Sequence, residues 1–135
     1  MLVIISIVLF ALAAAGGITI VVLYKRGKLS LPLALVHGAL AASGLVVLIV
    51  AAIEGQTTTL GNVALGLFVV AALGGFYLIY SHLTTGKLPQ AVIGIHATVA
   101  IVSFLLLLFS GIRAGASSSE GVHIHSGAEA QHAAE

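Results

Sequence analysis

Hydrophobic residues fill four long stretches of the chain, and polar residues are largely confined to the links between them and to the C-terminal end. The apolar stretches run at about residues 2–24, 31–53, 60–82 and 89–112. Each has roughly 20 residues or more, enough at about 1.5 Å per residue for a helix to cross a hydrocarbon core of about 30 Å. The pattern therefore predicts four transmembrane helices.

The links between the stretches read KRGKLS, EGQTTTLGN and LTTGKL, and are rich in residues typical of turns. Links this short require successive helices to be antiparallel neighbours. The sequence thus predicts an all-α membrane protein with the fold of an antiparallel four-helix transmembrane bundle. Residues 1–113 would form this domain, and residues 114–135, which are small and polar, a flexible C-terminal tail.

Positive charge is concentrated in the first and third links, at Lys25, Arg26, Lys28 and Lys87, whereas the acidic residues lie on the other side with Arg113. By the positive-inside rule, the first and third links face the cytoplasm and both termini lie outside a prokaryotic-type plasma (inner) membrane. The segment ALAAAGG also resembles a signal-peptide cleavage site. The absence of positive charge before the first stretch and the basic residues after it favour a retained helix.

Composition agrees with a membrane protein and excludes several kinds of chemistry. Of the 135 residues, 60% are hydrophobic and 7% charged, and the mean hydropathy is +1.23. The chain has no cysteine, so disulfides, iron–sulfur clusters, thiolate catalysis and covalent haem attachment are excluded. A net charge of +1 without an extended basic cluster gives no indication of nucleic-acid binding.

The two halves of the chain resemble each other. A shift of 59 residues superposes the two Gly-Lys-Leu segments and places His37 on His96. The same shift aligns three further pairs of small residues: Ala13 with Ala72, Gly16 with Gly75, and Ala41 with Ala100. This repeat indicates two tandem helix pairs related by a pseudo-twofold axis along the membrane normal.

The repeat gives His37 and His96 the same depth in the second and fourth helices. Each lies about seven residues, or roughly 10 Å of helix rise, from the cytoplasmic end. In a ring of four helices these two are diagonal, so the imidazoles can face each other. The same depth on the other diagonal holds two glycine pairs, Gly16-Gly17 and Gly74-Gly75. Glycine lets a flat ligand or another helix approach the backbone closely.

An ionisable ring within a membrane span is costly and usually faces a partner or a cofactor. Two such rings at matched depth, flanked by glycines, indicate one haem b with His37 and His96 as its axial ligands. Lys28 and Lys87 lie at the surface nearest this site and would neutralise the haem propionates. The positive-inside rule alone also accounts for both lysines.

This layout resembles the haem-binding four-helix core of membrane cytochromes b, over residues 2–112 and through His37, His96, Gly16 and Gly75. In that family paired histidines come from the second and fourth helices, and glycines on the other two admit the porphyrin. The resemblance implies a haem protein that passes single electrons, with quinone and a partner protein as candidate donor and acceptor. Because no residue is a candidate general base or nucleophile, an electron carrier is favoured over an enzyme. The chain departs from that family at the positions of a second histidine pair, which hold Val50, Ala51, Phe109 and Ser110, so only one haem is expected.

Three alternatives remain open: a non-redox membrane subunit, a metal or proton permease, and a haem sensor or transporter. The absence of Asp and Glu within the predicted spans weakens the permease interpretation. His82, at the end of the third span, is expected to be an interfacial residue, with a hydrogen bond to a haem propionate or an influence on the haem environment as the alternative. The tail histidines are a candidate weak copper or zinc site, although incidental histidines in a solvated tail are the favoured interpretation: His123, His125 and His132.

Overall fold

The computed structural model describes the backbone of residues 1–28 and 30–132, and side chains as far as residue 113 except that of Leu29. This part of the chain forms α1 (Leu2–Lys25), α2 (Leu31–Ile53), α3 (Thr59–Thr85) and α4 (Gln90–His132). All four helices are long and apolar enough to span a membrane, α4 through its Gln90–Arg113 segment. The prediction of an all-α four-helix bundle is confirmed, and its four helices have the length and apolar character that spanning a membrane requires.

Glycine, proline and threonine define the helix ends. Gly27 and Gly86, the glycines of the Gly-Lys-Leu segments, have φ angles of 69° and 66°, a left-handed conformation that favours glycine and ends a helix. Pro32 lies in the first turn of α2, where its missing N–H costs no hydrogen bond. The Thr58 side chain accepts a hydrogen bond from the Gly61 N–H at 3.2 Å and caps α3. The repeated glycine therefore has a structural role that is independent of the lysine after it.

The four helices form two closely packed pairs. α1 packs mainly against α2 and α3 against α4, while the two pairs meet more loosely through α2 with α3 and α1 with α4. Within the described residues, α1 and α3 lie across the bundle from each other, and so do α2 and α4. The two histidines of the repeat are therefore carried by opposite helices.

The buried core occupies one half of the bundle. It consists of Phe10, Leu48, Ala64, Phe68 and Leu107. The rings of Phe10 and Phe68 stack across the bundle with centroids 3.8 Å apart and planes within 1° of parallel. In the other half, which contains the first and third links, Ser81 is the one buried residue among those described. Side chains therefore close one half of the bundle and leave the other half incompletely filled.

Helix α4 extends beyond its apolar segment. Its backbone is helical to His132, where the sequence predicts an irregular tail from residue 114. Lengthening an existing helix avoids the cost of nucleation, and this segment contains no proline. The predicted flexibility, and a metal site at His123, His125 and His132, depend on side chains outside the described part of the chain and stay predictions.

Candidate cofactor site

His37 of α2 and His96 of α4 are half-buried and lie close together inside the bundle. Their ring centroids are 6.4 Å apart and their planes are inclined by 79°. Each Nδ1 lies 2.7 Å from a backbone carbonyl oxygen, that of Ala13 for His37 and that of Ala71 for His96. Because a carbonyl only accepts hydrogen bonds, each Nδ1 carries the proton in the neutral ring, and each Nε2 keeps a free lone pair.

The glycine pairs of α1 and α3 contact the histidine rings. A Cβ atom added at Gly17 would lie 3.0 Å from Cε1 of His37, and one added at Gly75 would lie 3.3 Å from Cε1 of His96. The neighbouring Gly16 and Gly74 face the Cβ atoms of the same histidines, at 3.5 and 3.4 Å. The sequence predicts that these glycines admit a porphyrin, whereas their contact in the structure is with the imidazoles. They let each ring approach the helix closely enough to reach its carbonyl.

The contacts of α1 and α3 recur at a spacing of 58 residues, and the repeat predicted a spacing of 59. Ala13 corresponds to Ala71, not to Ala72, because these two alanines supply the carbonyl oxygens. Likewise Gly16 corresponds to Gly74 and Gly17 to Gly75. Between α2 and α4 the spacing of 59 holds for the histidines. The second helix pair thus has one more residue between its carbonyl and its histidine.

The two histidines have the separation expected for opposite ligands of one metal ion. Two imidazoles that both point a nitrogen at one first-row metal, at about 2 Å, have ring centroids roughly 6 Å apart. The observed separation is 6.4 Å. Hydrogen bonding of the second ring nitrogen to a backbone carbonyl is the usual support for a metal-binding histidine. The separation of the rings and their carbonyl partners are compatible with a metal ion bound by both Nε2 atoms.

Two histidines alone are a poor site for a bare metal ion. Structural zinc sites use four protein ligands and catalytic ones generally three. Within residues 1–28 and 30–113, the side chains contain no group of three or more His, Cys, Asp or Glu that could hold a metal. A haem supplies four of its own nitrogen ligands and needs only two from the protein. The donor set therefore fits haem better than it fits zinc or copper.

The region between the histidines and the first and third links is partly open. A cavity of about 170 Å³ lies there, lined by Tyr24, Gly27, His82, Gly86 and Leu88. The side chains of Lys28 and Lys87 are exposed at the same end of the bundle. The structure places them close to this opening, but shows no partner for their ammonium groups among the described residues.

His82 is partly buried at the end of α3. It lies within the last turn of α3, and its Nδ1 is buried without a hydrogen-bond partner among the described residues. The burial of its Nδ1 depends on how the helix pairs approach each other, which the sequence does not show. The positional match of Tyr24 to His82 at the 58-residue spacing is the one signal in the sequence that connects them.

No protein-family model matches the chain, and comparisons with curated proteins and with solved structures also give no match.

Proposed function

We propose that this protein is a small membrane b-type cytochrome that holds one haem b between His37 and His96 and transfers single electrons. The observation that carries the proposal is the arrangement of the two imidazoles. Their centroids are 6.4 Å apart and each Nδ1 is bonded to a backbone carbonyl. With the proton on Nδ1, each Nε2 keeps a lone pair in a neutral ring, the form in which histidine binds a metal.

The chain's own residues would bind and orient the haem. His37 and His96 ligate the iron, the carbonyls of Ala13 and Ala71 fix the two rings, and the glycine pairs leave room for them. Haem supplies an iron that changes oxidation state by one electron, at a potential tuned by its ligands and surroundings. The protein is in this proposal an electron carrier and not an enzyme.

Symmetry supports a single site between two equivalent halves. The helix pairs α1–α2 and α3–α4 are antiparallel and related by a pseudo-twofold axis along the membrane normal. This is supported by Gly17 lying against His37 while Gly44, further along α2, lies against Phe10 near the start of α1. The stacked Phe10 and Phe68 fill the axis on one side of the histidines, where a second haem would have to lie.

Charge supports the orientation. The first and third links both line the 170 Å³ cavity and so lie at the same end of the bundle, together with Lys25, Arg26, Lys28 and Lys87. By the positive-inside rule this end faces the cytoplasm of a cell with a plasma (inner) membrane, and both termini lie outside. A quinone in the bilayer and a partner protein are the electron donor and acceptor that this location favours.

Spectroscopy tests the proposal directly. The full chain, produced with ample haem and purified, is expected to show a sharp α band on reduction with dithionite and to bind about one haem per chain. His37→Ala and His96→Ala should each abolish stable haem binding, because one axial ligand is lost. His123→Ala is the matched control and should bind haem normally. If the unaltered protein gives no α band, the proposal is wrong.

Carbon monoxide separates an electron carrier from a haem sensor or transporter. Iron that keeps both histidines has no free coordination position, so the reduced spectrum is expected to stay unchanged under carbon monoxide. A rapid shift of the spectrum would show that one ligand exchanges, which is the behaviour of a sensor or a transporter.

A further inference from the structure

The end of the bundle that carries the first and third links is basic. Lys25, Arg26, Lys28 and Lys87 are all exposed there. The acidic residues of the sequence lie elsewhere: Glu54 directly follows α2, and the other three lie beyond the apolar segment of α4. The two links therefore carry four positive charges and no negative one.

Neither membrane topology nor the helix dipoles accounts for this composition in full. The positive-inside rule places Lys and Arg on one side, but Asp and Glu contribute little to it, so it does not exclude them from these links. Helices α1 and α3 end here while α2 and α4 begin here, so the ends of opposite sign offset one another. Attraction of a negatively charged molecule explains both the basic residues and the exclusion of acidic ones.

Hydrogen bonds fix the backbone at two of the four cations. The Lys28 N–H donates to the Leu23 carbonyl at 2.9 Å. The Lys87 N–H donates to the Thr85 hydroxyl at 3.2 Å, and the Lys87 carbonyl accepts from the Ser81 hydroxyl at 3.0 Å. Ordering a loop on binding costs affinity, and a backbone that is already fixed avoids this cost. The basic surface is thus formed before a partner binds.

The proposed haem site is closer to this end than to the other. His37 lies six residues from the first residue of α2 and sixteen from its last, or about 9 and 24 Å of helix rise. His96 likewise lies six residues from the first residue of α4. The stack of Phe10 on Phe68 fills the bundle on the opposite side of the histidines. A water-soluble electron donor or acceptor therefore has its shortest approach to the iron at the basic surface.

We propose that the basic surface formed by Lys25, Arg26, Lys28 and Lys87 docks an acidic, water-soluble redox protein that exchanges one electron with the haem. This inference rests on the proposed function and names the chemistry of its partner. One electron passes between the haem iron and the redox centre of the partner, so that one is oxidised as the other is reduced. Two haem propionates paired with two of the cations would still leave two positive charges for the partner.

The test measures electron exchange with reagents of opposite charge. The haem-loaded full chain is placed in nanodiscs of phosphatidylcholine, which has no net charge and leaves both ends of the bundle in contact with water. Its haem is reduced, excess dithionite is removed, and reoxidation by ferricyanide, a trivalent anion, is followed at the α band by stopped flow. Tris(phenanthroline)cobalt(III), a trivalent cation, is the second oxidant, and polyglutamate is a competitor that stands in for an acidic protein surface.

The variants change charge at one end of the bundle at a time. Lys25→Gln combined with Arg26→Gln removes two positive charges and keeps Lys28 and Lys87, the candidate propionate contacts. Arg113→Gln, which changes an exposed residue at the opposite end of α4, is the control. The haem content and the α band of every variant are measured first and are expected to match those of the unaltered protein.

The double variant is expected to react with ferricyanide roughly fivefold more slowly than the unaltered protein at about 0.01 M salt, where the Debye length is about 30 Å. The difference should shrink at about 0.15 M salt, where that length is about 8 Å. The cobalt complex should react faster with the double variant, and Arg113→Gln should behave as the unaltered protein does. Polyglutamate should slow the ferricyanide reaction of the unaltered protein more than that of the double variant.

Four results overturn the inference while leaving the proposed function intact. Equal ferricyanide rates for the unaltered protein and the double variant mean that electrons do not pass through this surface. A slower reaction of Arg113→Gln alone assigns them to the opposite end. No effect of polyglutamate means that the surface attracts small anions but no acidic protein. Loss of the difference between the two proteins in nanodiscs that contain phosphatidylglycerol means that anionic lipid headgroups occupy the cations.

Failure of the proposed function has a separate signature. An unaltered chain that shows no α band has no haem to reoxidise, so the proposed function fails before the kinetic comparison begins, and this inference fails with it.

Discussion

Gly17 is the position where one added methyl group tests the site most directly. Its ideal Cβ lies 3.0 Å from Cε1 of His37, whereas the equivalent atom at Gly75 lies 3.3 Å from Cε1 of His96. Carbon atoms in favourable contact are about 3.5–4.0 Å apart. Gly17→Ala must therefore push the imidazole away by about half an ångström, and Gly75→Ala by less than half of that.

The displacement acts on the hydrogen bond that fixes the ring. In Gly17→Ala the 2.7 Å bond from His37 Nδ1 to the Ala13 carbonyl would lengthen to about 3.2 Å, the upper end of the normal range. Overpacking of this kind costs about 1–3 kcal/mol. A cost in the lower half of that range corresponds to about a tenfold loss of affinity for haem. In Gly75→Ala the bond stays within the normal range, so the loss is expected to be less than about threefold.

Two measurements detect this difference. Haem loss to a scavenging apoprotein reports ligand binding, and unfolding of the haem-free protein by dodecyl sulfate in mixed micelles reports the packing of the ring itself. Gly66→Ala is the matched control, since an added Cβ there meets nothing within 4 Å. Gly17→Ala should be the least stable variant in both assays, Gly75→Ala intermediate, and Gly66→Ala close to the unaltered protein.

The relative stability and haem retention of the three variants test whether the Cβ contacts control the site. If Gly17→Ala matches Gly66→Ala within a factor of two in both assays, the close contact between Gly17 and the imidazole does not control the site. If Gly75→Ala is more damaging than Gly17→Ala, the two halves differ in the opposite sense to the distances, and the argument from Cβ contacts is wrong.

Three further predictions follow from the described geometry. If the proposed haem is bound by both histidines, the 79° between the ring planes of His37 and His96 should give its oxidised form a strongly anisotropic low-spin electron paramagnetic resonance spectrum. A rhombic spectrum with three well-resolved features would indicate nearly parallel planes. Phe68→Ala should lower the free energy of unfolding in mixed micelles by at least about 1 kcal/mol, through loss of the stack with Phe10 and the cavity left behind, while Phe76→Ala, 67% exposed, should have little effect. Ser110→Ala removes the 2.6 Å hydrogen bond with Thr58 and should lower the free energy of unfolding by only about 0.6 kcal/mol, a typical value for a hydrogen bond between membrane helices. The control is Ser43→Ala, because the Ser43 hydroxyl bonds within its own helix. A loss above about 2 kcal/mol for Ser110→Ala would mean that Ser110 has a larger role.

The sequence alone determined the four helices and most of their ends. Hydropathy is a property of each segment, and a run of about 20 apolar residues is stable as a helix in a bilayer whatever it packs against. Gly86 and Pro32 end and begin helices through backbone geometry that they carry with them. The depth of His37 and His96 also follows from counting residues along a helix, which needs no tertiary information.

Only the tertiary structure decided which groups meet. A shift of one residue turns a helix face by about 100°, so a spacing of 59 would have aimed Ala72, and not Ala71, at His96. The glycine pairs match at a spacing of 58 residues and so indicated the correct register of α1 and α3. A comparison of the two whole halves at the single spacing of 59 did not reveal it. The unpartnered Nδ1 of His82 and the incomplete filling of one half of the bundle depend on how two helix pairs approach each other. Hydropathy carries no record of that approach, because the same apolar side chains pack equally well against lipid.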